Sequence, residues 1–158
     1  MSQYPTDGEA ITAEGLAALN SELAELETRG RREIAKRILT AREHGDLKEN
    51  AEYHAAKEDQ SHLETRIQRL KERLRNAVVV EEAGGDVFAF GHTAEVLDQG
   101  TGTTHRWRIV GSTEADLGAG RLSAESPVGK ALLGRSPGES VEISTPRGPR
   151  RLRVERLL

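Results

Sequence analysis

Between residues 53 and 77 one stripe of side chains recurs at alternating intervals of three and four: Tyr53, Ala56, Gln60, Leu63, Ile67, Leu70, Leu74 and Ala77. That is a heptad seam, and a seam this regular has to be covered by another helix. The segment upstream supplies a partner. Thr12 is placed to cap a helix beginning at Ala13, with Gly15 a weak spot in its first turn. Leu16, Leu19, Leu23 and Leu26 form its stripe, which resumes after Gly30 as Ile34, Ile38 and Ala41 with a drifted interval, as at a coiled-coil stutter. Two striped helices joined by a short polar stretch predict an antiparallel hairpin. Arms of about 25–30 residues make a rod roughly 40 Å long. A third amphipathic helix of similar length is missing, so a projecting hairpin is favoured over a globular bundle.

From Val78 the period changes. HTAEVLDQ (92–99) and THRWRIVG (104–111) read as strands around the turn GTGT, and ESVEIST and RRLRVERL as a second hairpin around TPRG. In SPVGKALLG (126–134), Ser126 is an N-cap, Pro127 the first helical residue and Gly134 a terminator, which defines a short helix. The expectation is an α+β chain: a coiled-coil domain over 1–80, then a small mixed domain over 81–158, with the boundary in EEAGGD (81–86). The leader MSQYPTDGEA is expected to be disordered.

Composition narrows the function. Of 158 residues 31% are charged and only 3% aromatic, so any core is aliphatic. The formal charge is −3, which argues against sequence-independent binding of duplex DNA. Both halves are near neutral, with 13 basic and 15 acidic residues in 1–80 and 10 and 11 in 81–158. Disulfides and thiolate metal sites are excluded by the absence of cysteine. With no apolar leader and no run long enough to span a membrane, the chain is expected to be soluble and cytoplasmic, with no membrane partner.

The polar connection EHGDLKENAEYH (43–54) holds more carboxylates than a turn requires. Asp46 and Glu49 are three apart, and in a helix-like turn both face one side. Two oxygen donors suit a hard cation such as Mg²⁺, yet a six-coordinate ion needs other ligands, so a partner would have to complete the site. The plain alternative is solvated charge, with Asp46 or Asn50 capping the second helix.

The stretch GDLKENAEYHAAKEDQ (45–60) resembles the tip and second-helix start of the bacterial transcript cleavage factors, the GreA family. The likeness extends through ITAEGLAALNSELAEL, RIVGSTEAD, SPVGKALLG and ESVEISTPRG, and so covers nearly the whole chain. For that family the resemblance implies an N-terminal coiled coil inserted through the secondary channel of RNA polymerase, and an FKBP-like C-terminal domain docked on the rim. Tip carboxylates, here Asp46 and Glu49 within a tip at about 43–52, would help hold the polymerase's second Mg²⁺ and position the attacking water. The polymerase itself would then cut the 3′ end of backtracked RNA. On this reading the chain is an accessory factor, not a free-standing nuclease. It is expected to be a monomer that holds no cofactor stably on its own.

Other residues carry weaker expectations. Lys57, Arg42 and Lys48 are a candidate patch facing the RNA backbone, with ordinary ion pairing to Glu43, Glu52 or Glu58 as the alternative. Tyr53 opens the seam and is expected to pack, with RNA base stacking as the lesser alternative; His54 is expected to bond the tip backbone and His44 to order the turn. Asn50 supports the tip. Ser126, Pro127 and Gly129 are docking candidates, with helix punctuation by Ser126, Pro127 and Gly134 as the plainer reading. Arg147, Arg150, Arg151, Arg153 and Arg156 alternate with apolar residues as one strand face would. Arg32 stands where relatives usually have Pro, a change with consequences for the bend of the first helix. Two other functions compete: a channel-binding inhibitor, disfavoured by the intact Asp46 and Glu49, and a prolyl isomerase, disfavoured because 81–158 holds only Phe88, Phe90 and Trp107 as aromatics.

Overall fold

The computed structural model describes residues 8–81 and 85–158. They fall into two compact units, one from Leu16 to Asn76 and the other joining the described residues up to Gly15 to those from Ala77 onward. The fold is mixed α+β.

The first unit is a helical hairpin. Helix α1 (Ala13–Glu25) runs into a π turn (Leu26–Gly30) and on into α2 (Arg31–Arg42), and α3 (Ala51–Asn76) returns alongside. In the π turn the Arg31 N–H donates to the carbonyl of Leu26, five residues back. A π turn holds one residue more than the α-helical ladder requires. That extra residue is the physical form of the drift in the apolar stripe. Arg32 is exposed, and the backbone continues into α2 with helical dihedrals at Gly30 and Arg31. Ala41 from one arm and Ala56, Ile67 and Leu70 from the other are buried in the seam. Gly30 fits because a methyl there would sit 3.3 Å from Leu63. Ion pairs tie the arms along their flanks: Arg66 with Glu22, Arg31 with Glu64 at 2.9 Å, Arg37 with Asp59 at 2.9 Å and Lys71 with Glu27 at 3.6 Å. Exposed or at most half-buried, they fix register more than they stabilise.

The second unit contains a five-stranded sheet of order β5-β4-β3-β7-β6. Its strands are β3 (Thr93–Asp98), β4 (Thr104–Val110), β5 (Arg121–Ser123), β6 (Ser140–Thr145) and β7 (Gly148–Leu157). Both expected hairpins, β3–β4 and β6–β7, are antiparallel pairs, and β5 adds in parallel to β4. Helix α4 (Pro127–Leu132) begins as expected: Ser126 Oγ accepts from Gly129 N at 3.0 Å. Its Leu132 joins Phe88, Phe90, Val96, Trp107, Ile109 and Leu152 in the core. All three aromatics of this half are thus core residues.

Two expectations are corrected. Glu9 and Ala10, assigned to a disordered leader, belong to strand β1 (Glu9–Ile11), which pairs in parallel with β2 (Ala77–Val79). Alanine 10 is buried. Residues 1–7 of that leader lie outside the described residues. Ala77, the last position of the expected seam, opens β2 instead. Of the expected boundary EEAGGD, residues 82–84 lie outside the described residues.

Gly15 also has a reason. Thr12 caps α1 as expected, its Oγ1 accepting from Gly15 N at 3.0 Å, while Thr12 N donates to Glu114 at 3.0 Å and Thr12 Oγ1 donates to the same carboxylate. Gly111 N adds a third donor at 3.2 Å. A methyl on Gly15 would overlap the Glu114 side chain, and one on Gly111 would overlap the carbonyl of Ala10. The glycine that looks weak as a helix former is what allows the carboxylate to close over the helix start.

Candidate functional site

The tip connects Arg42 to Ala51. Its backbone first tightens, with N–H groups of Glu43, His44 and Gly45 donating back to Thr40, Ala41 and Arg42. Gly45 then takes φ +103°, a conformation that side chains disfavour. Asp46 accepts through Oδ1 from Lys48 N at 3.0 Å, an Asx turn that engages one carboxylate oxygen. Asn50 caps α3, its Oδ1 accepting from Tyr53 N at 3.0 Å. Its amide also reaches across the hairpin, Nδ2 donating to the carbonyl of Ala41 at 2.6 Å. His54 Nε2 lies 3.3 Å from the carbonyl of Lys48, and His44 Nε2 lies 3.5 Å from Glu52.

Residues 42–49 are all exposed. Asp46, Glu49 and Asn50 share an open recess of about 410 Å³ with His44, Ala51 and Glu52. Among the described residues, no three carboxylate or imidazole groups gather closely enough to hold a metal ion. Chemically the recess offers three exposed carboxylates, of which Glu52 faces His44 and Asp46 and Glu49 stand in the loop itself, on a backbone fastened at both ends.

The other candidates are distributed differently. Arg42 sits over the ring of Tyr53, 5.9 Å from its centroid, and Tyr53 is half-buried, so this cation is partly committed to packing. Lys57 donates to Gln60 at 3.0 Å instead of to the acidic residues suggested for it. Lys48 is exposed beside Asp46. Arg42, Lys48 and Lys57 do not line the recess that Asp46, Glu49 and Asn50 share. In the second unit, Ser126 both caps α4 and donates to Ser123 O at 2.7 Å. Gly129 is buried where a methyl would lie 1.9 Å from the Ser123 carbonyl, while Pro127 is exposed.

Sequence reasoning missed the acceptor for Asn50. An asparagine before a helix announces a cap, but the carbonyl of Ala41 is nine residues away and carries no side-chain signal. It missed Glu114 for the same reason, since its partner Thr12 is 102 residues distant.

Comparison with known proteins bears on the whole chain. Residues 9–79 match the family model described as transcription elongation factor, N-terminal, and residues 82–157 match the model for the C-terminal part of transcription elongation factors GreA/GreB. Among curated relatives, transcription elongation factor GreA of Rhodospirillum rubrum is 46% identical over 140 residues, covering 87% of this chain and 89% of that protein. The Rhodopseudomonas palustris (strain BisA53) protein of the same name is 44% identical over 93% of both chains. A solved structure, the GreA factor homolog 1 protein of Thermus thermophilus, is 30% identical over 96% of this chain and 99% of that one, with a TM-score of 0.43. No helix among the described residues is long and apolar enough to cross a membrane.

Proposed function

This chain belongs to the GreA/GreB family of transcription elongation factors, and from that premise we propose that it acts on RNA polymerase as an accessory cleavage factor. Its hairpin inserts into the secondary channel, and its C-terminal domain docks on the rim. Asp46 and Glu49 are then delivered to a polymerase whose RNA has backtracked, and the polymerase's own active site removes the extruded 3′ end. The observation that carries the reading is that Asp46 and Glu49, both exposed, share one recess on a tip fastened to both helices.

The chemistry follows from what two carboxylates can and cannot do. Hard oxygen donors suit Mg²⁺, but two of them leave most of its coordination to others. Metal-assisted phosphodiester cleavage draws on bound Mg²⁺ for an activated water and for charge neutralisation at the leaving oxygen. Asp46 and Glu49 would add two ligands to a second, loosely held Mg²⁺ and orient the water beside it. Asp46 has Oδ1 engaged by Lys48 N and Oδ2 left for this purpose. Arg42 and Lys48 stand at the same end of the hairpin, where the phosphates of an extruded RNA would pass, and Lys57 lies one turn beyond Tyr53. On this reading the chain is an activator, in keeping with the lack, among the described residues, of three carboxylate or imidazole groups that could hold a metal ion.

The test is cleavage of a backtracked complex by bacterial RNA polymerase with and without the protein. Stimulated shortening of the RNA 3′ end is expected. Inhibition in its place would turn the reading toward a channel-blocking factor, and RNA cleavage without polymerase would turn it toward a nuclease.

A further inference from the structure

We propose that Asn50 is the positioning residue of the tip, holding Asp46 and Glu49 in their working posture through the bond it sends across the hairpin. The inference rests on the accessory-cleavage reading above and deepens it. Asn50 performs two separable tasks with two different atoms. Oδ1 accepts from Tyr53 N at 3.0 Å and starts α3. Nδ2 donates to Ala41 O at 2.6 Å and ties that start to the end of α2.

An N-cap needs only the first bond, and Ser, Thr or Asp makes it equally well. The second bond is what an amide adds. It closes the segment 41–50 into a ring whose ends cannot separate, and both carboxylates lie inside that ring. Ala41 is itself buried in the seam, so the carbonyl that receives the bond is anchored in the packed part of the hairpin. Asn50 lines the recess together with Asp46 and Glu49 and directly follows Glu49 in the chain. The Asx turn at Asp46 orders the loop internally, and the His54 contact to Lys48 O ties it to α3. Neither links it to α2.

The substitutions Asn50→Ser and Asn50→Asp separate the tasks. Each retains an acceptor for Tyr53 N, and neither presents a donor that reaches Ala41 O. Aspartate adds a charge and serine does not, so a loss common to both belongs to the missing amide. Thermal melts and the factor concentration giving half-maximal cleavage are expected to stay near wild type. Cleavage at saturating factor is expected to fall about 10- to 100-fold, the scale at which small misplacements act, with partial recovery at raised Mg²⁺. In the free protein, NMR amide exchange is expected to quicken several-fold at Lys48, whose N–H reports on Asp46, while Tyr53 keeps its protection.

Wild-type saturating rates and Mg²⁺ dependence in both variants, measured beside an inactive D46A/E49A protein, would overturn the positioning role alone. A D46A/E49A protein that cleaves normally would overturn both this inference and the reading it rests on. If Asn50→Ser melts far below wild type, Asn50→Asp decides, since a charged cap at a helix N-terminus is favoured.

Discussion

Glu114 receives Thr12 N and Thr12 Oγ1 from 102 residues away and Gly111 N from its own turn. Hydrogen bonds to a charged acceptor are each worth about 1.5–3 kcal/mol, and their loss leaves buried donors without partners. Glu114→Ala is therefore expected to destabilise the protein by about 2–3 kcal/mol in denaturant melts. An unchanged midpoint would remove the clasp from the account. Asp98 gives a pH signature. A hydrogen bond from Arg150 holds its carboxyl below the usual carboxylate range, outweighing burial, with help from the N–H groups of Gly100 and Thr101. A depressed carboxyl contributes stability that is present above the unfolded value, about 4, and lost as pH falls through the lower folded value. Asp98→Asn is expected to melt below wild type at pH 7, with the gap closing as pH drops below about 4. A gap that persists unchanged into acid would contradict the ion pair as its cause.

At the scale of elements, the π turn is the most informative feature of the hairpin. It carries one residue beyond the α-helical ladder, so deleting Thr28 converts it to regular helix and leaves both flanking stripes facing the seam. Deleting Lys36, within regular α2, rotates everything between it and the tip by about 100° relative to the partner helix. Circular dichroism melts are expected to show the first deletion tolerated and the second strongly destabilising; equal effects would count against the π turn as a register device. The same element marks what could be read in advance. Leucine spacing in 16–26 and Ile34, Ile38 and Ala41 revealed two stripes and a drift between them, because helical periodicity is local. Ser126 and Gly134 announced α4 by the same kind of local chemistry. The partners β1 and β2 escaped notice because each is three residues long and they meet in parallel across 68 positions. The tip was legible in its carboxylates and its cap. The bond from Asn50 to the backbone of Ala41 was not, since a carbonyl acceptor leaves no trace in the residue that bears it.

For the whole molecule, the family places this chain among transcription elongation factors, and the proposed chemistry rests on Asp46 and Glu49, since no three carboxylate or imidazole groups gather to hold a metal ion among the described residues. A near-neutral hairpin with a net charge of −3 over the full chain has no strong field to hold nucleic acid unaided, so its specificity for stalled complexes would come from fit to the polymerase. The central claim is that Asp46 and Glu49 act inside that polymerase. Transcript cleavage should therefore be followed in a stalled, backtracked complex with wild-type protein and with D46A/E49A, each at saturating concentration and each checked for polymerase binding by competition. The account predicts that the double variant binds as wild type does and leaves the RNA 3′ end uncut beyond the polymerase's own slow rate. Wild-type cleavage by a bound D46A/E49A protein would contradict it.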